Sequence, residues 1–201
     1  YRQDLVDKPI TSWSALWQPR FAGKLAVPSI GMYQARMLAI ASEVNGGSIK
    51  DTDKGFEMLG KLKPNVAVFY GSDAQARQAL AQGEVSVLVA PPSQAKRVAE
   101  AGVSVKILRP KGSPMNADVM TIVGSGQEAL AAESLPFQLA QGLPEPLART
   151  LNMGAVNRES KQPAALADAM PKPGDEVVLD EGFINKNIGG WTDRFNREII
   201  R

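Results

Sequence analysis

Short apolar runs alternate with helical segments over the first 123 residues, and this alternation constrains the fold more than any other feature. The runs that predict strands lie at residues 24–28, 66–70, 85–90, 103–108 and 118–123. The segments that predict helices lie between them, at residues 33–44, 53–62, 74–82 and 93–101. Strands that are joined in turn by helices require crossover connections. The sequence therefore predicts an α/β fold with a mixed, mostly parallel sheet flanked by helices.

The remainder of the chain is mainly helical in pattern. Helices are predicted at residues 128–143, 145–151 and 183–199, and a surface loop rich in proline and alanine is predicted at residues 161–173. Trp191, Phe195 and Ile199 recur at four-residue steps, which gives the last helix one apolar face for docking. We interpret this face, and the pair Trp13 and Trp17, as core.

The composition excludes several classes of function. The chain has no histidine and no cysteine, which removes imidazole bases, thiol nucleophiles, Ser-His-Asp triads and nearly all zinc sites. We find no paired-acid, phosphate-loop or Ser-Lys arrangement at a catalytic spacing, so we expect neither enzyme activity nor a cofactor or metal. A net charge of +2 without a dense Lys/Arg run argues against nucleic-acid binding. The apolar stretch at residues 37–41 is far shorter than the roughly 20 residues that span a bilayer.

The turn at residues 28–33 connects the first predicted strand to the following helix. Ligands of open α/β sheets bind outside the carboxyl ends of the strands, where helix N-termini also favour anions. Ser29, Gly31 and Tyr33 are therefore candidate ligand contacts. An ordinary capped helix, against which Tyr33 only packs, stays open as the alternative.

Ser72 and Asp73 occupy the corresponding junction after the strand at residues 66–70. The Ser72 hydroxyl either caps its own helix or donates to a ligand, and capping is the interpretation that we favour. A carboxylate such as that of Asp73 is stabilised near a helix start whether or not a ligand is present. Both residues are kept as candidate ligand contacts.

The segment SWSALWQPRFAGKLAVP at residues 12–28 resembles the entry to the second lobe of solute-binding proteins of ABC importers, of the spermidine/putrescine-, iron(III)- and thiamine-binding type. Further landmarks of that family follow in the same order, at residues 46–47, 62–66, 82–85, 110–112, 154–157 and 191–199. Each landmark is a short turn or cap, so the order of the whole set carries the resemblance. Members of this family are considerably longer than this chain, and most of their first lobe precedes the point where it begins.

The resemblance implies a lobe of the type 2 periplasmic-binding fold. Residues 1–114 would form the second, ligand-closing lobe, and residues 115–201 would form the return crossover and the helices that pack on the first lobe. A solute would be captured between the lobes and presented to an ABC permease, in the periplasm or on the outer face of a Gram-positive membrane. A lone lobe exposes surface made to face its partner, so we also expect that the isolated chain either self-associates or rearranges its ends.

The resemblance also bears on the ligand. Asp118, beside Asn116, matches a position that contacts amines in polyamine binders, and both residues are candidate contacts. The turn at residues 28–33 has no acid, however, and Ala90–Ser93 lacks the aromatic residue of polyamine binders. Iron binders of the family use adjacent tyrosines, whereas Tyr33 and Tyr70 are far apart in the sequence. A small polar or anionic solute is the favoured ligand, with a polyamine or other amine as the alternative.

One alternative of a different class stays open. The effector-binding domain of a bacterial transcription regulator has the same two-lobed architecture and can have a similar length. Such domains usually lack the motif at residues 12–28 and the aromatic tail at residues 191–199. A winged-helix segment upstream in the gene would favour the regulator, and a signal peptide would favour the transport protein.

Overall fold

The computed structural model describes residues 1–115, 119–124, 126–139 and 174–201. The chain divides into two compact units, one formed by Tyr1–Met115 with Pro171–Arg201 and the other by Asn116–Met170. The first unit contains a parallel sheet with helices around it, which confirms the predicted α/β class.

The sheet of the first unit has three parallel strands in the order β2-β1-β3. The strands are β1 Leu25–Pro28, β2 Val66–Tyr70 and β3 Val87–Leu88. All four residues of the central strand β1 are buried, as expected for a strand that has neighbours on both edges and helices on its faces. A second, two-stranded parallel pair joins β4 Ser113–Pro114 to β5 Glu176–Val177.

Helices connect and cover these strands. The α-helices are α1 Arg36–Val44, α2 Thr52–Leu62, α3 Asp73–Gln82, α4 Pro92–Glu100, α5 Glu128–Leu139 and α6 Glu181–Phe195. Short 3₁₀ turns lie at Trp13–Trp17, Pro19–Phe21, Met32–Ala35 and Lys63–Asn65, and a π turn at Asn196–Ile200 ends the last helix. Gly83 ends α3 at a positive φ of 79°, a conformation that glycine adopts without steric cost.

Two predicted strands differ from the structure. The run at residues 103–108 forms no ladder and contributes only an isolated antiparallel bridge between Val105 and Arg2. Its backbone bonds go instead to the first residues of the chain, where the Lys106 amide donates to the Tyr1 carbonyl. Residues 119–123 of the run predicted at 118–123 are described and form no strand. An apolar pattern predicts a strand only where a neighbouring strand is available to pair with it.

The last helix packs in the core of the first unit. Trp191, Phe195 and Ile199 are 8%, 2% and 2% exposed, which confirms their predicted role as core. The rings of Phe195 and Phe69 meet edge to face at 5.2 Å. The apolar face of this helix packs in one core cluster with residues of the unit that contains β2. The packing of the C-terminal helices on a first lobe stays a prediction. The predicted lobe boundary at residue 114 stays a prediction.

The described part of the second unit consists of residues 119–124 and helix α5. Several of its large apolar side chains are exposed, among them Val119, Val123 and Phe137. Across both units, no helix within the described ranges has the length and apolar character needed to cross a membrane.

Candidate functional site

The carboxyl ends of the three parallel strands are tied together by backbone and side-chain bonds. The Ser29 amide, just after β1, donates to the Tyr70 carbonyl at the end of β2 at 2.9 Å. The Val89 amide, just after β3, donates to the Ala26 carbonyl of β1 at 3.0 Å. The Tyr70 hydroxyl reaches the Val89 carbonyl at 2.6 Å. The turns that follow the strands are therefore gathered at one edge of the sheet.

A chain of polar side chains crosses this edge. The Tyr33 hydroxyl donates to one carboxylate oxygen of Asp73. The other Asp73 oxygen accepts from the Gln94 amide nitrogen at 3.0 Å, and the Gln94 amide oxygen accepts from Arg77. Tyr33 comes from the turn after β1, Asp73 and Arg77 from α3, and Gln94 from α4. Three sequence-distant elements thus place donors and acceptors side by side.

The environment of this network keeps both tyrosines protonated at neutral pH. Burial raises the pKa of the Tyr33 phenol, and the neighbouring Asp73 carboxylate raises that pKa further. Burial also raises the pKa of Tyr70, with added contributions from charge at Tyr33 and Asp73. The two phenols act as neutral hydrogen-bonding groups beside one carboxylate.

The turn that carries Tyr33 has an unusual backbone. Tyr33, Gln34 and Ala35 have φ values of 50°, 51° and 56°, which are left-handed values at three successive residues without a glycine. For a residue with a Cβ atom this region costs about 1–2 kcal/mol. We predicted that a helix begins near Tyr33; the α-helix instead begins at Arg36, after this strained turn. Strain of this kind persists only where surrounding contacts over-determine it.

The structure places the other predicted contacts at the same edge. Ser29 is partly buried, and Gly31 is exposed with open space around the position of a side chain. Ser72 is exposed at the N-cap of α3, where its side chain makes no capping hydrogen bond. The capping role that we favoured for Ser72 is therefore wrong in this structure. Asn116 and Asp118 lie outside the described residues.

Three members of the network were not singled out from the sequence as ligand contacts. Gln94 and Arg77 lie on helices, where polar side chains ordinarily face solvent, and Tyr70 was interpreted only as part of a strand. Gln94 could have been identified from its position, because it lies in the first turn of the helix after the third strand. That place is equivalent to that of Asp73 after the second strand.

An open cavity of about 410 Å³ lies at the opposite, amino edge of the sheet. It is lined by residues that precede β1 and β3, including Lys24 and Ser86, and by Lys8 and Arg20. This cavity does not coincide with the Tyr33–Asp73 network, whose hydrogen bonds are partly buried. Within the described ranges, no group of three or more acidic side chains is placed to hold a metal ion.

The geometry of the carboxyl edge suits recognition of a polar molecule. The Asp73 carboxylate, the neutral Tyr33 phenol and the Gln94 amide present both donors and acceptors, and their partners are side chains that can exchange a bond with a solute. We see no activated nucleophile beside a base in this network, which is the arrangement that covalent catalysis needs.

Comparison with known proteins gives a consistent result. The model of the family described as bacterial extracellular solute-binding protein matches residues 1–168. The chain is 27% identical over 194 residues to the spermidine/putrescine-binding periplasmic protein of Salmonella typhimurium, covering 92% of this chain and 55% of that protein. The chain thus spans about half the length of the curated relatives that it matches.

Solved structures agree on the fold. An ABC transporter structure from Clostridium perfringens is 25% identical, with a TM-score of 0.75, and the match covers 95% of this chain and 63% of that one. An ABC transporter substrate-binding protein from Bradyrhizobium japonicum also has a TM-score of 0.75, at 16% identity, covering 100% of this chain and 66% of that one. At 16% identity, the second match shows a similarity of fold alone.

Proposed function

Because the chain belongs to the bacterial extracellular solute-binding protein family, we propose that it is one lobe of a transport receptor that captures a small polar or anionic solute. The solute would bind at the carboxyl edge of the sheet, and the loaded receptor would present it to an ABC permease outside the cytoplasm. Family membership favours this function over the effector domain of a transcription regulator. We expect no catalytic turnover.

The observation that carries the proposal is the Tyr33–Asp73–Gln94 network. It stands outside the carboxyl ends of parallel strands, which is where open α/β sheets bind their ligands. Its hydrogen bonds join side chains from three elements, and such bonds can open toward a solute without breaking a helix or the sheet ladder. A second lobe that closed over this edge would exclude water and strengthen these contacts.

Closure explains how binding is signalled. A receptor with open and closed forms shifts to the closed form when its ligand contacts both lobes. A solute that touched only the Tyr33–Asp73 edge would give no preference between the two forms. The proposal therefore requires that contacts from a first lobe complete the site.

An amine is the second candidate ligand, because the network contains a carboxylate. Asp73 has two oxygens that accept hydrogen bonds, and its neighbouring cation Arg77 is turned to Gln94. An ammonium group is well suited to such an oxygen cluster. The named relatives from Salmonella and Escherichia coli are spermidine/putrescine-binding proteins, which agrees with this candidate.

Native mass spectrometry of the protein purified from its source tests the proposal. It records the length of the natural chain and the mass of any co-purifying small molecule in one spectrum. A bound anion or neutral polar metabolite supports the first ligand class, and a bound diamine or polyamine supports the second. A natural chain that carries no solute, and whose melting temperature is unchanged by putrescine and by inorganic phosphate, contradicts the proposal for both probes.

Self-association stays a prediction. The described residues of the second unit expose Val119, Val123 and Phe137, and large exposed apolar side chains favour association. Sedimentation of the 201-residue chain over a range of concentrations measures this directly. A concentration-independent monomer would contradict it.

A further inference from the structure

Arg36 follows directly on the left-handed turn and is the one charged residue that is buried within the described ranges. It is 8% exposed. Arginine is seldom buried to this extent without several partners, because its charge must be compensated. The partners of its guanidinium group therefore show what the residue does.

One nitrogen of Arg36 holds the turn itself. Its Nη1 donates to the Tyr33 carbonyl at 3.1 Å and to the Gln34 side-chain oxygen at 3.0 Å. These contacts bind two of the three residues that have positive φ. The planar guanidinium fork can serve several acceptors in a fixed geometry, which a lysine ammonium cannot do.

The other terminal nitrogen of the guanidinium group contacts two segments that are distant in the sequence. Its Nη2 pairs with the Glu181 carboxylate, the first residue of α6, at 2.5 Å. It also approaches the carbonyl of Met115 at 3.4 Å, where the chain leaves the first unit. One side chain thus connects the Tyr33 turn to the start of the last helix and to the end of the N-terminal segment.

The ion pair is incomplete. Arg36 Nε and the second carboxylate oxygen of Glu181 are buried without hydrogen-bond partners in the described structure. The Glu181 side chain is 44% exposed, and an ion pair with so solvated a partner contributes little to stability. The geometry therefore favours placement of the turn over stability as the role of the pair.

We propose that Arg36 is a positioning residue of the candidate site, which fixes the turn that carries Tyr33 against Glu181 and Met115. The inference deepens the proposed function and rests on it, since the turn faces the solute only if the carboxyl edge is the binding site. A change at Glu181 is then transmitted through Arg36 to Tyr33, although Glu181 is not itself part of the Tyr33–Asp73–Gln94 network.

Fluorine NMR of the 201-residue chain labelled with 3-fluorotyrosine tests the positioning without a ligand. The chain has three tyrosines, and the spectrum of Tyr33→Phe assigns the Tyr33 resonance. Arg36→Lys keeps the charge and loses the fork, so we expect the Tyr33 resonance to shift or broaden. Glu181→Gln should move it in the same direction by a smaller amount.

Arg194→Lys is the matched control. Arg194 is another ion-paired and partly buried arginine; its carboxylate partners are Asp53 and Glu198, and it lies on α6 away from the turn. It should lower the melting temperature and leave the Tyr33 resonance where the unsubstituted chain has it. The proposal is overturned if Arg36→Lys leaves that resonance unmoved, or if Arg194→Lys moves it as far. If Arg36→Lys does not fold, the Tyr33 resonance of Glu181→Gln is compared with that of Arg194→Lys. A shift in the first variant alone supports the positioning role, and equal shifts contradict it.

A titration with putrescine separates this inference from the proposed function. The titration uses the full-length natural protein, because the proposed site is completed by a first lobe. If the unsubstituted protein binds putrescine, we expect Arg36→Lys to raise its Kd at least about 10-fold and Arg194→Lys to change it little. Equal Kd values for Arg36→Lys and the unsubstituted protein would contradict the positioning role. If the unsubstituted full-length protein does not bind putrescine, the amine version of the proposed function fails, and the NMR result still decides the role of Arg36.

Discussion

The two ends of the parallel sheet both hold polar side chains away from bulk water, but the partners of those side chains differ. At the amino edge, Asn65 is 5% exposed and donates to the backbone carbonyls of Leu16 and Gln18 at 2.7 and 3.0 Å. At the carboxyl edge, Asp73 is partly exposed and bonds the side chains of Tyr33 and Gln94.

The difference separates a structural polar group from the one that we propose for solute binding. The Leu16 carbonyl lies within the first 3₁₀ turn, and the Gln18 carbonyl, which also accepts from the Phe21 amide at 3.1 Å, lies between two 3₁₀ turns. The bond from Asn65 to the buried Leu16 carbonyl satisfies a backbone group that cannot rotate away. The partners of Asp73 are side chains, which can rotate and exchange bonds with a solute. A buried amide that serves backbone is needed for folding, whereas a carboxylate that serves side chains is available for recognition.

The largest effect on stability is expected from Asn65→Ala. It removes the Asn65 donor from the buried Leu16 carbonyl, whereas the Gln18 carbonyl keeps its bond from the Phe21 amide, so the free energy of unfolding should fall by about 1–3 kcal/mol. Urea denaturation measures the change. Gln78→Ala, on the exposed face of α3, is the control and should stay within about 0.5 kcal/mol. If Asn65→Ala lowers the free energy of unfolding by less than about 1 kcal/mol, the hydrogen bonds of Asn65 are as readily exchanged as those of Asp73.

Asp73→Asn should have a small effect on stability and a large effect on ligand binding. One amide oxygen can still accept from Tyr33, so the free energy of unfolding should fall by no more than about 1 kcal/mol. Binding of an amine should weaken at least about 10-fold, because the charge that attracts the ammonium group is lost. Calorimetric titration with putrescine measures the affinity. The control is Asp53→Asn, an exposed carboxylate paired with Arg194, and an equal loss of affinity there would remove the distinction between the two edges.

The tyrosines of the carboxyl edge predict a dependence of stability on alkaline pH. The pKa of Tyr33 and that of Tyr70 are raised above the ordinary value of 10.0 in the folded protein. The unfolded chain therefore loses these protons first as the pH rises. Stability from this source is complete below pH 10 and falls above it, by less than about 1.4 kcal/mol per pH unit for each tyrosine.

Urea midpoints measured from pH 8 to pH 11.5 test this dependence. Tyr33→Phe should flatten the alkaline slope in part, since its phenol is partly exposed and screened by solvent. Tyr70→Phe should flatten it further, because Tyr70 is fully buried. An unchanged slope in both variants would show that the phenols are not desolvated at this edge.

The elements that could be predicted from the sequence are those with continuous local signals. Strand β2 was predicted with its observed bounds, because a β-branched and aromatic run is bounded by Asn65 and Gly71. The end of α3 at Gly83 was predicted for a similar reason. The run at residues 103–108 was not correctly assigned, since its pairing depends on which segment lies beside it.

The site was predictable in place and only partly in composition. Tyr33 and Asp73 were predicted at corresponding strand–helix junctions, and they meet in the fold because parallel strands end together. Gln94 and Arg77 were missed, since on a helix their periodicity is that of a solvated face. Tyr33 and Tyr70 are distant in the sequence, which was the ground for setting iron aside, yet in the fold each influences the pKa of the other.

The left-handed turn before α1 carries no sequence signal. Glycine or asparagine ordinarily marks positive φ, and Tyr33, Gln34 and Ala35 contain neither. The turn depends on Arg36, whose partners Met115 and Glu181 are distant in the sequence. Local propensity favours a continuous helix at this position, and tertiary contacts override it.

The smallest expected changes in stability concern two N-cap residues, one on α6 and one on α3. Asp180 caps α6 by accepting from the Phe183 amide at 2.9 Å, so Asp180→Ala should lower the free energy of unfolding by about 1 kcal/mol. Ser72 stands at the N-cap of α3 and its side chain makes no such bond, so Ser72→Ala should change the free energy of unfolding by less than about 0.5 kcal/mol. Urea denaturation of both variants measures the two values side by side. A loss near 1 kcal/mol at Ser72 would show that its hydroxyl caps the helix in solution, and a neutral change joined to weaker solute binding would assign that hydroxyl to recognition.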